Sequence, residues 1–228
     1  NKSMNTIEKL VGKDGAQAMW DVEVDSKNMI RERVERHNID CDLRWGYLHA
    51  AAKPSHMGWV NDTHEEWERY GYTDTAVYDK QRLEAHLQSK IYHGALWENN
   101  AGHLHPLNYA LGLARAAKEA GVRIFEDSRV LTLDKGPTVS VKTDKGSVRA
   151  KFLVAAGNAY LGNMIPKLYR RVMPVGSFIV ATEPLGAERA SALIANNDAV
   201  SCTNNIVDYY RLSSDGRMLF GGRANYSG

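Results

Sequence analysis

The sequence predicts a mixed α+β (α/β) chain, and three observations carry that expectation. A helix that starts at Pro106 closes at Gly121 and leads straight into Val122-Arg123-Ile124-Phe125, an order that makes half of a βαβ crossover. Three short strands follow at 129–134, 138–143 and 147–154, joined by Gly136-Pro137 and Asp144-Lys145-Gly146, which is a β-meander. Residues 172–183 and 206–222 read as longer strands of a second, antiparallel sheet, with Ser213-Ser214-Asp215-Gly216 as a hairpin turn.

The elements before these follow in order. Thr6 is placed to cap a short helix that ends near Gly12, and a longer helix is expected over 14–36. Its apolar positions Ala18, Met19, Val22, Met29, Ile30 and Val34 recur at helical spacing, and the run from Arg31 to Arg36 reads as a solvated face. Residues 41–52 change period: Leu43, Trp45, Tyr47 and His49 alternate, with Gly46 as a bulge or turn. Pro54-Ser55 opens a helix to about Tyr70, a short helix is expected over 80–89, and 91–97 reads as a strand. Asn99-Asn100-Ala101-Gly102 reads as a turn. In the helix from Pro106, Leu107, Ala110, Leu111, Ala114 and Ala117 form one apolar stripe, and Gly121 supplies the left-handed cap.

Composition narrows the classes. With 228 residues, 43% hydrophobic and 25% charged, the chain can bury a real core and is neither disordered, collagen-like nor a disulfide framework. The net charge is +2, but residues 1–105 carry −4 and residues 106–228 carry +6. All eight His and all five Trp precede Pro106, and all four Phe follow it, so two parts with different roles are expected. The basic excess is scattered and is no nucleic-acid footprint. Cys41 and Cys202 lack CxxC spacing and fit a reducing compartment; no apolar run approaches the roughly 20 residues of a membrane span, and a cytoplasmic location is expected.

Three constellations bear on chemistry. Val154-Ala155-Ala156-Gly157 ends the meander in small residues, which suits either tight packing or the close approach of a ligand. His103 and His105 would face one side of a strand, as metal ligands can, but no third ligand stands at a familiar spacing, and a structural or hydrogen-bonding role fits as well. Tyr209 and Arg211 share a strand face, either lining a polar cavity or packing on the sheet, while Tyr210 points to the other face. Gly221-Gly222 allows another close backbone approach. The sequence carries no G-x-S-x-G, H-E-x-x-H, P-loop or G-x-G-x-x-G pattern.

Taken in order, Gly102-His103-Leu104-His105-Pro106, the helix through Gly121, the meander, Val154-Ala155-Ala156-Gly157, Met173-Pro174-Val175-Gly176 and Tyr210-Arg211 through Gly221-Gly222 resemble the middle of an FAD-dependent oxidoreductase of the D-amino-acid oxidase, glycine oxidase and sarcosine oxidase type. Ile30-Arg31-Glu32-Arg33-Val34, Cys41-Asp42-Leu43, residues 154–163, Ala181-Thr182-Glu183-Pro184-Leu185-Gly186 and Asp208-Tyr209-Tyr210-Arg211-Leu212 resemble the γ-glutamylputrescine oxidoreductases within it. The resemblance implies the interior of a two-domain FAD/NAD(P)-binding fold that lacks the N-terminal Rossmann fingerprint. The absence of an initial Met fits an internal segment of a longer protein. It implies a helical segment over 1–40, substrate-domain parts at 41–105 and 161–228, and an FAD-domain part at 106–160.

The same resemblance implies that Val130 contacts the adenine side of FAD through its backbone and that Ala155, Ala156 and Gly157 approach the cofactor. It places Tyr209, and less directly Arg211, at the substrate; it assigns no catalytic residue and no metal. The implied activity is oxidation of a small-molecule amine of the γ-glutamylputrescine type, with this segment alone binding FAD weakly or not at all. The alternatives are an amino-acid or other amine dehydrogenase or oxidase of the same fold, or a non-catalytic binding module derived from one. Oligomeric state is unreadable from the sequence.

Overall fold

A computed structural model describes residues 2–173 and 175–225. It divides into two units: unit 1 runs through Ala117 and resumes over Ser177–Arg223, and unit 2 holds Lys118–Gly176.

Unit 1 opens with α1 (Met4–Arg36), two helical pieces meeting at Gly12, whose φ of 77° and ψ of 170° break the helix where the glycine was expected to. The cap is Ser3 rather than Thr6: the Ser3 hydroxyl accepts from the Thr6 N–H. β1 (Arg44–Ala50) follows, with a register shift between Trp45 and Tyr47 that makes Gly46 a bulge. α2 (His56–Arg69), β2 (Thr75–Asp79), α3 (Lys80–His86) and β3 (Gly94–His103) complete the first stretch, and α4 (Pro106–Glu119) crosses the unit boundary. β7 (Gly176–Ala181), α6 (Ala187–Leu193), β8 (Ala199–Cys202), β9 (Tyr209–Leu212) and β10 (Met218–Asn225) return to the same sheet. Between them, unit 2 carries β4 (Val130–Asp134), β5 (Val139–Thr143), β6 (Ser147–Ala150), a 3₁₀ segment over Asn158–Met164 and α5 (Pro166–Tyr169).

The unit 1 sheet has seven strands in the order β2-β3-β1-β8-β9-β10-β7. It is mixed rather than antiparallel, because β1 and β8 run parallel, Leu48 opposite Val200. β8 is buried along its whole length and shows no alternation, which hides a four-residue central strand from a period-2 reading. The main core lies on one face of the sheet, around Leu48, Ala50, Tyr78, Leu83, Ile194, Val200 and Leu212.

The largest departures from the sequence reading concern which faces are buried. α1 docks through Ala16, Trp20, Lys27 and Arg31, whereas Met19, Val22 and Met29 are exposed. The reason is electrostatic: Lys27 Nζ lies 2.6 Å from Oε1 of the buried Glu98 on β3, and Arg31 sits over the Trp45 ring at 4.3 Å while donating to Asn100. Arg31 is therefore an anchor, not part of a solvated face. In α4, Gly112 and not the Leu107–Leu111 stripe is buried, since Ile39 packs where a Cβ at 112 would stand. Residues 99–102, read as a turn, continue β3 instead; Gly102 pairs with Trp45, and a side chain there would meet the Arg44 carbonyl.

Glu98 is the polar centre of unit 1. Oε1 also accepts from the Tyr72 hydroxyl at 2.6 Å, and His49 Nε2 stands 3.5 Å from Oε2. Burial alone would raise this carboxyl, but the contacts from His49, Lys27 and Tyr72 overcome it and hold the group at about 2. Trp20 and Trp67 each pack edge to face against Tyr72 and meet each other at a tilt.

Unit 2 is built differently. The meander β4-β5-β6 forms as expected, its turns at 135–138 and 144–146, but β6 stops at Ala150 and the segment to Gly157 is irregular, without a strand partner among the described residues. Val122-Arg123-Ile124-Phe125 is no strand either, so the crossover half does not form among the described residues: an extended segment becomes a strand only where another supplies its hydrogen bonds. Ile165 is the one buried residue of 118–173. Among the described residues, no helix is long and apolar enough to cross a membrane.

Replacing Lys27 by Met removes the cation and leaves Glu98 buried. Unit 1 is expected to lose about 3 kcal/mol at neutral pH, read from chemical denaturation. Because the folded pKa of Glu98 lies below its ordinary value of 4.5, its contribution is full above that pH and fades as pH falls towards about 2; the gap between wild type and Lys27→Met should close across that window.

Candidate functional site

Two groups of residues are singled out by the sequence, one in each unit. In unit 2, Val130 at the start of β4 and Ala155, Ala156 and Gly157 beyond β6 line one open cleft of about 650 Å³. The geometry follows from local structure. Two turns fold the meander back on itself, and the unpaired segment after β6 leads into the 3₁₀ segment, both lining the cleft together with β4. Small side chains at 155–157 keep the floor low, and Arg129, Leu153 and Ile165 form part of the walls. Among the described residues, the backbone N–H and C=O groups of 152–156 have no partner, and all five residues are exposed.

The sequence reading missed the far wall. Tyr160, Leu161 and Met164 come from the 3₁₀ segment, which turns at Asn158, a residue with φ of 46°. The signal for it was present: a glycine followed by an asparagine, the non-glycine residue that best tolerates this conformation. Gly157 itself sits tightly, since a Cβ there would stand 3.2 Å from Leu161. Its smallness thus serves packing inside the cleft as well as access from outside.

An adenine nucleotide cofactor such as FAD fits the chemistry of this cleft. The walls are apolar, the floor is small, the exposed backbone can pair with a planar heterocycle, and Arg129 offers a cation to a phosphate. Val130, Ala155, Ala156 and Gly157 are the residues that would hold it.

In unit 1, Tyr209 and Arg211 lie on one face of β9. Tyr209 pairs with Gly221 across the strand, and its ring covers that glycine so closely that a methyl group at 221 would overlap the ring. The phenol oxygen lies 3.1 Å from the Ser177 hydroxyl on β7. Gly221 is thus required by Tyr209 within the protein itself. Tyr210 points the other way, as alternation demands: its hydroxyl donates to Tyr92 and its ring stacks on Phe220 at 5.5 Å.

Arg211 is half-buried and held by protein. Nη1 donates to the Leu212 carbonyl at 3.1 Å and faces His103 Nδ1 at 3.3 Å, and Nη2 donates to the Leu104 carbonyl at 3.2 Å. Burial disfavours its charge and Asp42 favours it. Burial likewise pushes the His103 imidazole down, the Asn197 carbonyl pulls it up, and Arg211 pushes it down further. The two histidines of the His-x-His pair have separate tasks: His103 is buried at the end of β3, whereas His105 caps α4 by accepting from the Asn108 N–H at 3.2 Å.

Comparison with known proteins concerns the chain as a whole. The profile of the DAO family, described as FAD dependent oxidoreductase, matches residues 6–228. The chain is 41% identical over 220 residues, 93% of its length, to "Probable oxidoreductase OrdL" of Haemophilus influenzae. It is 38% identical over 227 residues, 99% of its length, to "Gamma-glutamylputrescine oxidoreductase" of Escherichia coli. It spans 51% and 53% of these two relatives, about half their length. Among solved structures, L-proline dehydrogenase of P. horikoshii superposes with a TM-score of 0.73, covering 90% of this chain and 56% of that one at 18% identity. Glycine oxidase of Geobacillus kaustophilus gives 0.69, covering 88% and 53%, again at 18% identity. At that identity these two likenesses speak to the fold alone.

Gly221→Ala is expected to cost about 1–3 kcal/mol through overlap with the Tyr209 ring. In a Tyr209→Ala background the same change should cost little, because the overlapping ring is gone. A double-mutant cycle by denaturation measures that coupling, and additivity of the two changes would contradict the placement.

Proposed function

The chain belongs to the DAO family of FAD-dependent oxidoreductases, and from that premise we propose that it forms part of an enzyme oxidising an amine of the γ-glutamylputrescine kind. The overall change is amine to imine, hydrolysis of the imine to aldehyde and ammonia, and reduction of oxygen to hydrogen peroxide. In this reading the reaction serves putrescine breakdown in the cytoplasm, which the two unpaired, buried cysteines suit.

The observation that carries the cofactor half of the reading is the unit 2 cleft, where Val130, Ala155, Ala156 and Gly157 come together. The substrate half is supported by the named Escherichia coli relative, whose identity to this chain runs across nearly all of it. Bound FAD supplies the two-electron acceptor that amine oxidation requires. The residues of this chain bind and orient. Val130 and the 155–157 segment hold the cofactor through backbone and small side chains, so that no bulky group competes for the cleft. Tyr209 gives the substrate a flat apolar face with one hydroxyl, already set by Ser177. Arg211 offers positive charge to an anionic group of the substrate, and a γ-glutamyl compound carries a free carboxylate.

No strong general base is needed, because the carbon–hydrogen electrons leave as hydride once the amine is neutral. Turnover should therefore rise with pH until the substrate amine has lost its proton.

The test is a panel of amines and amino acids assayed for flavin bleaching and peroxide on a polypeptide of the relatives' full length that contains this chain. γ-Glutamylputrescine is expected to bleach the flavin and yield peroxide with a rate that climbs with pH. Silence with it, together with turnover of another amine or an amino acid, would overturn the substrate assignment. The 228-residue chain alone is expected to purify without stoichiometric flavin, read from the visible absorption band.

A further inference from the structure

We propose that His103 is a positioning residue for Arg211, holding the guanidinium in a single orientation from the end of β3. The two partners of one imidazole fix its state. His103 is buried, and each ring nitrogen meets a group whose hydrogen-bonding role is fixed. Nε2 lies 2.8 Å from the Asn197 carbonyl oxygen, which can only accept. Nδ1 lies 3.3 Å from Arg211 Nη1, which can only donate. One state satisfies both: the neutral imidazole with its proton on Nε2 and its lone pair on Nδ1. The opposite tautomer would set an N–H against the guanidinium and a lone pair against the carbonyl. An imidazolium would face the Arg211 cation directly, with Asp42 the nearby opposing charge and Arg44 adding to the repulsion.

The arrangement joins three separate pieces of chain. β3 contributes His103, the segment before β8 contributes Asn197, and β9 contributes Arg211. Asn197 adopts a φ of 54°, a conformation asparagine tolerates. Arg211 has five N–H groups. Both on Nη1 are taken by His103 and Leu212, and one on Nη2 by Leu104. The Nε–H and the second Nη2–H have no protein partner among the described residues, and they are the donors left for an anion. Without the acceptor at Nδ1, Nη1 loses its side-chain restraint and the guanidinium can rotate about its last bonds. The consequence for substrate rests on the amine-oxidation reading above; the orientation of Arg211 does not.

The experiment is nuclear magnetic resonance on the 228-residue chain with nitrogen-15 in histidine and arginine. In the wild type at neutral pH, His103 is expected as the neutral Nε2–H tautomer, with Arg211 showing separate, slowly exchanging Nη signals. Two variants divide the contacts. His103→Asn places an oxygen where Nδ1 stood and should keep the separate Arg211 signals. His103→Gln reaches the Nε2 position only and should lose them. An Nδ1–H tautomer or an imidazolium in the wild type would overturn the proposal, and that reading needs no variant to fold. Arg211 signals that are unchanged in both variants, or lost alike in both, would overturn it as well and leave His103 a packing role. Neither measurement uses flavin or substrate, so failure here is distinct from failure of the amine-oxidation reading.

Discussion

A carboxylate buried in the middle of β3 governs unit 1. Glu98 cannot stay charged away from water without close partners, and its partners come from every direction. Lys27 reaches it from α1, Tyr72 from the segment after α2, and His49 from β1. This fixes how α1 lies, and it explains why that helix turns Met19, Val22 and Met29 to solvent while it buries a lysine and an arginine. It also holds β1 against β3, with Tyr47 opposite Glu98 in the ladder. β8 then adds to the other side of β1, and β9 to β8, so Tyr209 stands where it does through a chain of strand pairings that begins beside Glu98.

The candidate site residues of the two units are held in unlike ways. Tyr209 and Arg211 are held by specific groups, a glycine and a serine for one, a histidine and two carbonyls for the other. Arginine and tyrosine on a strand face are mobile unless fixed, and here His103, the Leu104 carbonyl and Ser177 all come from distant parts of the chain. The unit 2 residues offer small side chains at 155–157 beside an apolar wall, with the backbone of Ala155 and Ala156 unpaired among the described residues. Phe152 and Val154 next to them are 87% and 88% exposed, which sets the extension of β6 apart from an ordinary finished strand.

Local chemistry was legible in the sequence. Gly12, Gly46, Gly121, Pro106, the turns of the meander and the alternation at Tyr209, Tyr210 and Arg211 all announce themselves within a few residues, and the structure has them in place. Burial was not legible, because it is decided by partners distant in the chain. The apolar stripes of α1 and α4 pointed to the wrong faces: Lys27 answers to Glu98 and Gly112 to Ile39, and neither pairing has a local mark. β8 was missed because four buried residues have no period. Residues 122–125 follow a helix and its glycine cap as a strand would, but strands need neighbours. In the cleft, Val130 and 155–157 follow from family resemblance, while Gly157-Asn158 marks a turn but not which later side chains, Tyr160 and Leu161 among them, it brings to the wall.

The central claim is that the small-residue end of the meander holds FAD while the β9 face serves an amine substrate. The most direct measurement is a crystal structure, with FAD and an unreactive γ-glutamyl amine analogue, of a polypeptide of the relatives' full length that contains this chain. The account predicts density for the cofactor's adenine half against Val130, Ala155, Ala156 and Gly157, and the analogue within contact of Tyr209. Cofactor density touching none of those four residues, or side chains of the same protein filling their cleft, would contradict it.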